Sequence, residues 1–276
     1  MAEQKSILIT GCSTGIGYCV AHGLKKRGYN VFATARKMED VERLREEGLQ
    51  SLQLDLTDLL SMKNAITRIL QNTNGELYAL FNNGAYGQPG AIEDLTTDTL
   101  RQQFETNVFG WHELTNLVLP IMRKQGYGRI IQNSSILGLI SLKFRGAYNA
   151  SKYAIEGLSD TLRQELIGSQ IYISLIEPGP IKSQFRANSF KHYQDNIDKE
   201  QSLFRHHYEA IETRLSTKES TVPFTLPAEA VLTKVLQALE SKQPKARYYV
   251  TFPTYLFAYL KRLLPTRLLD RLLNKI

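Results

Sequence analysis

The chain has 276 residues and a mass of 31.4 kDa, enough for one sizeable core, with 42% hydrophobic residues, 22% charged residues and a mean hydropathy of −0.27. No apolar run reaches the ~20 residues that span a bilayer, and no repeat, low-complexity tract or Gly/Ser linker divides the sequence. The formal net charge of +7 is uneven: Tyr255 to Ile276 holds Lys261, Arg262, Arg267, Arg271 and Lys275 against Asp270 alone, so the excess is a local surface property and not the footprint of a nucleic-acid-binding domain.

Ser6 to Thr10 is a short apolar run, as in a strand buried on both faces. Gly11, Gly15 and Gly17 follow it, then helical periodicity to about Arg27, ended by Gly28. Asn30 to Thr34 predicts a second strand, Met38 to Glu47 a helix, Leu52 to Leu56 a strand, Asp58 to Leu70 a helix and Leu77 to Phe81 a fourth strand. Thr99 to Lys124 reads as one helical region broken near Gly110, and Arg129 to Asn133 as the strand delivering Ser134 and Ser135. A helix over Tyr148 to Ile167 and a strand over Ile171 to Ile176 complete the alternation. Gln184 to Leu226 is aromatic and weakly periodic, an inserted substrate loop. Pro227 opens a helix to about Leu239, with a short strand near Arg247 to Val250. Strands and helices alternating at this spacing predict an α/β fold: a single Rossmann-type, doubly wound parallel sheet with helices on both faces. The domain is expected over 1–254, with 255–276 as a basic amphipathic helical extension of it.

Glycines directly after a first strand let the backbone turn tightly and let a pyrophosphate approach the N–H groups at a helix N-terminus. Further on, Tyr148 and Lys152 stand four apart, on one helical face. A fixed ammonium favours the phenolate and moves a phenol from its usual pKa of about 10 towards the working range of an acid–base catalyst. Ser135, thirteen residues upstream, suits the end of a strand that presents its hydroxyl to the same substrate oxygen.

The spacing Gly11-x-x-x-Gly15-x-Gly17, the pair Tyr148-x-x-x-Lys152, and Ser135 and Asn107 in order resemble the short-chain dehydrogenase/reductase family over roughly Lys5 to Ser183. Within it, the sequence is similar to bacterial NADP-dependent aldehyde reductases and to the retinol and 17β-hydroxysteroid dehydrogenases. The resemblance implies a catalytic tetrad of Asn107, Ser135, Tyr148 and Lys152. Tyr148 would exchange the proton, Lys152 would lower its pKa and bind the nicotinamide ribose, Ser135 would polarise the substrate oxygen, and Asn107 would hold a relay water. It also implies cofactor contacts from Gly11, Ser13, Thr14, Gly15, Ile16 and Gly17, from Asp55, Leu56 and Asn82 around adenine, and from Pro178, Gly179, Ile181 and Ser183 around nicotinamide. The residue after the second strand meets the adenosine ribose; here Arg36 stands there and no acid occurs until Glu39, which selects NADP(H). The family usually has Asn-Asn-Ala-Gly where this chain has Asn82-Asn83-Gly84-Ala85, so Ala85 is strained if its position needs a positive φ.

Leu137, Leu142 and Phe185, with the aromatics of Gln184 to Leu226, imply an apolar pocket and a hydrophobic aldehyde, ketone or alcohol. Direction stays open at this point between carbonyl reduction, oxidation of steroid-like or retinol-like alcohols, and a non-catalytic NADP(H) sensor. The five histidines have no companion ligands, so no metal is expected. Cys12 and Cys19 match no disulfide framework; with no signal peptide in evidence, a cytoplasmic location is the natural reading. Leu268, Leu269, Leu272, Leu273 and Ile276 form one helical stripe after Pro265, flanked by bases. Such a helix suits an anionic membrane surface, its own domain or a sister subunit. A homodimer or homotetramer is implied by the resemblance alone.

Overall fold

The computed structural model describes residues 4–216 and 222–275. Its strands are β1 (Ser6–Ile9), β2 (Asn30–Ala35), β3 (Gln50–Gln53), β4 (Ala79–Asn82), β5 (Gly128–Asn133), β6 (Ile171–Glu177) and β7 (Arg247–Tyr249). They form one sheet in the order β3-β2-β1-β4-β5-β6-β7, every pair parallel. Alternate residues of β1 go to opposite faces. Ile7 and Ile9 pack under α1 (Gly15–Lys26), α2 (Met38–Glu46) and α9 (Glu229–Glu240); Leu8 packs under α3 (Leu59–Gln71), α5 (Gly110–Gln125) and α6 (Gly146–Glu165). The strand order reverses between β1 and β4, which opens the crevice at their carboxyl ends where such sheets bind ligands.

Several predicted boundaries shift for local reasons. After the last ladder bond, from the Leu54 N–H to the Ala35 carbonyl, the Asp55 carboxylate turns the chain by accepting from the Thr57 N–H, so β3 ends at Gln53 and Leu54 and Leu56 are buried beyond it. β4 starts at Ala79 because the Leu77 N–H bonds the Gln125 side chain instead of a neighbouring strand. The predicted break near Gly110 is a π-helical segment, Glu105–Phe109, between α4 (Thr97–Phe104) and α5, and the three run on as one rod. Gly110 permits the close approach beneath it: an added Cβ would stand 2.2 Å from the Leu56 carbonyl oxygen.

The region expected to be an irregular loop holds two helices, α7 (Phe185–Asn196) and α8 (Arg205–Ser216). Their apolar face is built from aromatic rings: Tyr193 and Tyr208 are buried against each other with Ile211 and Leu215, and Phe144 packs beside them. The remainder of that loop includes 217–221, outside the described residues. The tail forms α10 (Phe252–Leu263) and α11 (Thr266–Leu273), so the expected boundary at 254 falls inside a helix. No helix among the described residues is long and apolar enough to cross a membrane.

Candidate active site

At the mouth of the crevice the glycine turn is fixed by geometry that no side chain could share. Gly11 and Gly15 have φ of +68° and +63°. A Cβ on Gly17 would stand 2.2 Å from the Gly11 carbonyl oxygen, and one on Gly11 would stand 2.6 Å from the Gly84 Cα. The Thr10 hydroxyl accepts from the N–H groups of Asn83 and Gly84, while the Asn83 amide donates to the carbonyls of Thr10 and Gly11. Thr14 precedes α1 without capping it, and the first turn of α1 carries no acid. The helix thus presents free N–H groups and a positive dipole end to the crevice, which fits a dinucleotide pyrophosphate. Ser183 closes in from the other side, its Cβ 3.1 Å from where a Gly15 Cβ would lie. Ala85 escapes the expected strain, because it is not among the residues with positive φ; Gly84 is the member of the pair that must be small, wedged between Leu56 and Gly11.

The other expected cofactor residues divide. Arg36 is exposed at the end of β2, and its charge reaches Tyr86 and His192 across the crevice. Lys37 is occupied with Glu39 at 3.0 Å. Asn82 departs from expectation: its side chain is fully buried and donates to the Thr115 hydroxyl at 3.2 Å, away from the crevice. Gly179 lies so close to Thr251 that a Cβ would come within 2.2 Å of the hydroxyl, and the Pro178 carbonyl accepts from the Ile136 N–H. Cys12 is a packing residue, its thiol directed at the Ile9 carbonyl and pushed up to about 12 by burial.

The tetrad converges at the carboxyl end of β5. α6 begins two residues before Tyr148, so phenol and ammonium do share a helical face. The two adjacent serines separate cleanly. Ser134 donates to Glu156 at 2.5 Å, whereas the Ser135 hydroxyl lies against the Tyr148 phenol. Lys152 is 1% exposed; it donates to the Asn133 carbonyl at 2.8 Å and sits 4.2 Å above the Trp111 ring. Burial draws its ammonium down to about 7, against the pull of Glu156. Burial pushes the Tyr148 phenol up to about 12, with Ser135 and Arg145 pulling it back. The Lys152 ammonium lies 5.6 Å from the Tyr148 ring centroid, and Arg145 also favours the phenolate. Asn107 is fully buried in the π segment; its amide donates to the Tyr86 carbonyl and the Ser151 hydroxyl, and its oxygen accepts from the Tyr86 N–H.

Beneath Lys152 lies a buried acidic cluster that sequence reasoning missed. Arg247 meets Glu156 at 3.0 Å, Asp160 at 2.7 Å and Glu177 at 3.1 Å. Asp160 is partly exposed and shared with Arg163, but Glu156 and Glu177 are buried: burial holds the Glu156 carboxyl above its usual range, and burial followed by repulsion from Glu156 does the same for Glu177, against the pull of Arg247. Also missed were Gln103 and Tyr86. Gln103 bonds the backbone of Tyr86 and Gln88, and the Tyr86 ring stacks on His192 of α7 at 4.0 Å, so the strap after β4 is held to the lid helix.

Leu137 and Leu142 share one apolar cluster with Tyr148, and the Phe185 ring meets Tyr148 edge-on at 5.3 Å. The cluster's other members are Ile136 and Ile140 and, from the tail, Phe257, Leu260, Leu264, Leu269 and Leu273. Of the predicted stripe, Leu269 and Leu273 thus turn inward, Leu268 and Leu272 stay exposed at 42% and 37%, and Ile276 lies outside the described residues.

A family model described as short chain dehydrogenase matches residues 5–194. The chain belongs to the short-chain dehydrogenase/reductase family, whose members bind a nicotinamide cofactor, and it is an oxidoreductase by that membership. It is 44% identical to the uncharacterized oxidoreductase YbbO of Escherichia coli K12, over 98% of this chain and 94% of that protein. It is 32% identical to the NADPH-dependent 3-dehydrocapnine reductase of Ornithobacterium rhinotracheale, over 97% and 95%. Identity to human 17-beta-hydroxysteroid dehydrogenase type 1 is 31%, over 89% and 77%, which sets the chain beside the hydroxysteroid and retinol dehydrogenase branch.

Proposed function

We propose that the protein reduces the carbonyl of a hydrophobic aldehyde or ketone with NADP(H), using Tyr148 as acid/base. The observation that carries this reading is a buried phenol beside a serine hydroxyl, walled by Leu137, Leu142 and the inward face of the tail. Tyr148 gives its proton to the substrate oxygen, and Ser135 donates to the same oxygen as charge develops there. Lys152 binds the nicotinamide ribose and restores the proton to the phenol. Asn107 fixes the strap after β4 and leads protons towards Lys152. The bound cofactor supplies the hydride. Gly11, Ser13, Thr14, Gly15, Ile16 and Gly17 hold its pyrophosphate, Asp55 and Leu56 border its adenine, and Pro178, Gly179, Ile181 and Ser183 position its nicotinamide.

Arg36 favours the 2′-phosphate, since the only nearby acid, Glu39, is tied to Lys37. The name of the 3-dehydrocapnine reductase, which states NADPH dependence, favours the same choice. The test is NADPH consumption by purified protein against a graded series of straight-chain and aromatic aldehydes. We expect turnover to rise with acceptor hydrophobicity and to fall by about 10²–10⁴ in Tyr148→Phe. Tight NADPH binding without turnover of any carbonyl overturns the reading and moves weight to alcohol oxidation, which the 17-beta-hydroxysteroid dehydrogenase relative favours, or to a sensor role.

We place the protein in the cytoplasm as a homodimer or homotetramer paired through α5 and α6. Its tail touches anionic membranes through Leu263, Leu268 and Leu272, exposed among Lys261, Arg262, Arg267 and Arg271. Flotation with anionic liposomes should weaken when Leu268 and Leu272 are both changed to Gln; equal flotation dismisses this face as an anchor.

A further inference from the structure

β5 runs into a three-residue turn that holds Ser135 and Lys152 together. The Ser134 N–H returns to the Gln132 carbonyl at 3.0 Å, and the Asn133 carbonyl, inside the turn, accepts from the Lys152 ammonium at 2.8 Å. Among the described residues this is the one hydrogen bond the ammonium makes. It fixes one of three N–H groups, and so where the other two can point. The two hydroxyls that follow diverge: Ser135 lies against the Tyr148 phenol, and Ser134 donates to Glu156 at 2.5 Å. Glu156 stands four residues beyond Lys152 on α6, so one helical face brings the ammonium and the carboxylate to the same turn.

Glu156 is itself held from other elements. Arg247 of β7 donates to it at 3.0 Å while also donating to Asp160 at 2.7 Å. Gly138, in the turn after Ser135, leaves room for the pair: an added Cβ would stand 2.8 Å from the Ser134 hydroxyl and 3.0 Å from the Glu156 Cγ. Both partners are buried. Burying a carboxylate costs stability that an apolar side chain of similar volume would not, so packing alone does not account for Glu156. Its position does: hydroxyl, carboxylate and guanidinium tie the turn carrying Asn133 and Ser135 to the helix carrying Tyr148 and Lys152.

We propose that Glu156 is a positioning residue: by holding the Ser134 hydroxyl it fixes the turn whose Asn133 carbonyl anchors Lys152, and so sets the ammonium where the reaction needs it. The inference rests on the carbonyl-reducing reading above. The chain supplies its own reporter, because its one tryptophan, Trp111, has the Lys152 ammonium 4.2 Å above its ring. A cation at that distance in a buried site sets the field across the indole, so Trp111 emission tells where Lys152 stands with no turnover needed.

The test is Ser134→Ala in the full-length protein, which removes the hydroxyl and leaves the carboxylate, with Lys152→Met as the reference for a site without the ammonium. In the cofactor-free protein, Trp111 emission of Ser134→Ala should move from the wild-type wavelength most of the way to that of Lys152→Met. With NADPH and a long-chain aldehyde its kcat should fall about tenfold while KM holds within about twofold, because what is lost is geometry in the transition state. Glu156→Ala should lower kcat alike, and the double variant no further than either, since both break one tie. Losses that add in full overturn the proposal. Because Glu156→Ala can fail to fold, Ser134→Ala is judged by itself, with its thermal unfolding measured beside it. Wild-type emission in Ser134→Ala overturns the proposal whatever kcat does, and so does shifted emission with wild-type kcat. If the wild-type protein reduces no carbonyl, the reductase reading falls and emission still decides: a shift upholds the hold on Lys152, and its absence overturns that too.

Discussion

The crevice that faces the cofactor and the wall that faces the substrate are built by different means. Around Gly11 and Gly17 the constraint is backbone against backbone, with no room for one added carbon, and Gly15 holds a positive φ. Around Tyr148 the constraint is side chain against side chain, drawn from four separate stretches: the segment after β5, α7, α10 and α11. The first kind of wall accepts only one residue type at each position. The second accepts any set of rings and branched chains that fills the volume.

The sharpest way to break the contrast is Gly17→Ala. Its Cβ would stand 2.2 Å from a backbone oxygen, which no rotamer change can relieve. We expect a loss of about 3 kcal/mol or more in unfolding free energy, together with loss of NADPH binding, read by denaturant titration and by fluorescence of the bound cofactor. A variant of wild-type stability and affinity would show that the turn can shift.

Leu269→Ala probes the other wall. Leu269 is 9% exposed at the edge of its cluster, so truncation should cost about 2 kcal/mol, the low end for a core leucine. NADPH affinity should hold while KM for long-chain aldehydes rises severalfold. Equal damage to cofactor and substrate binding would show that the two walls are mechanically one.

The same contrast explains what could be read from the sequence. Gly11, Gly15, Gly17, Tyr148 and Lys152 were legible because spacing along one chain fixes a turn or a helical face. The parallel, doubly wound sheet followed from the βα alternation. The helices α7 and α8 were not legible, since their buried faces are made of tyrosines and phenylalanines with charged neighbours, which blurs the apolar period. The tail's split also escaped: a stripe shows which residues share a face, but not that Leu269 and Leu273 turn to the apolar cluster while Leu268 and Leu272 stay exposed.

The last effect depends on pH and concerns the floor shared by both walls. Glu177 is fully buried, and its carboxyl is held above its ordinary range by burial, by Glu156 and against the pull of Arg247. The folded state therefore keeps a proton that the unfolded chain releases near its ordinary pKa of about 4.3. Between that value and the raised one the unfolded state binds fewer protons, so stability falls as pH rises, by at most about 1.4 kcal/mol per pH unit. Glu177→Gln keeps the shape of the neutral carboxyl and removes this dependence. Wild type and variant should melt together near pH 4, and the variant should gain steadily above pH 5. Parallel melting curves across pH 4 to 9 would mean that Glu177 is ionised in the folded protein and that Arg247 compensates it fully.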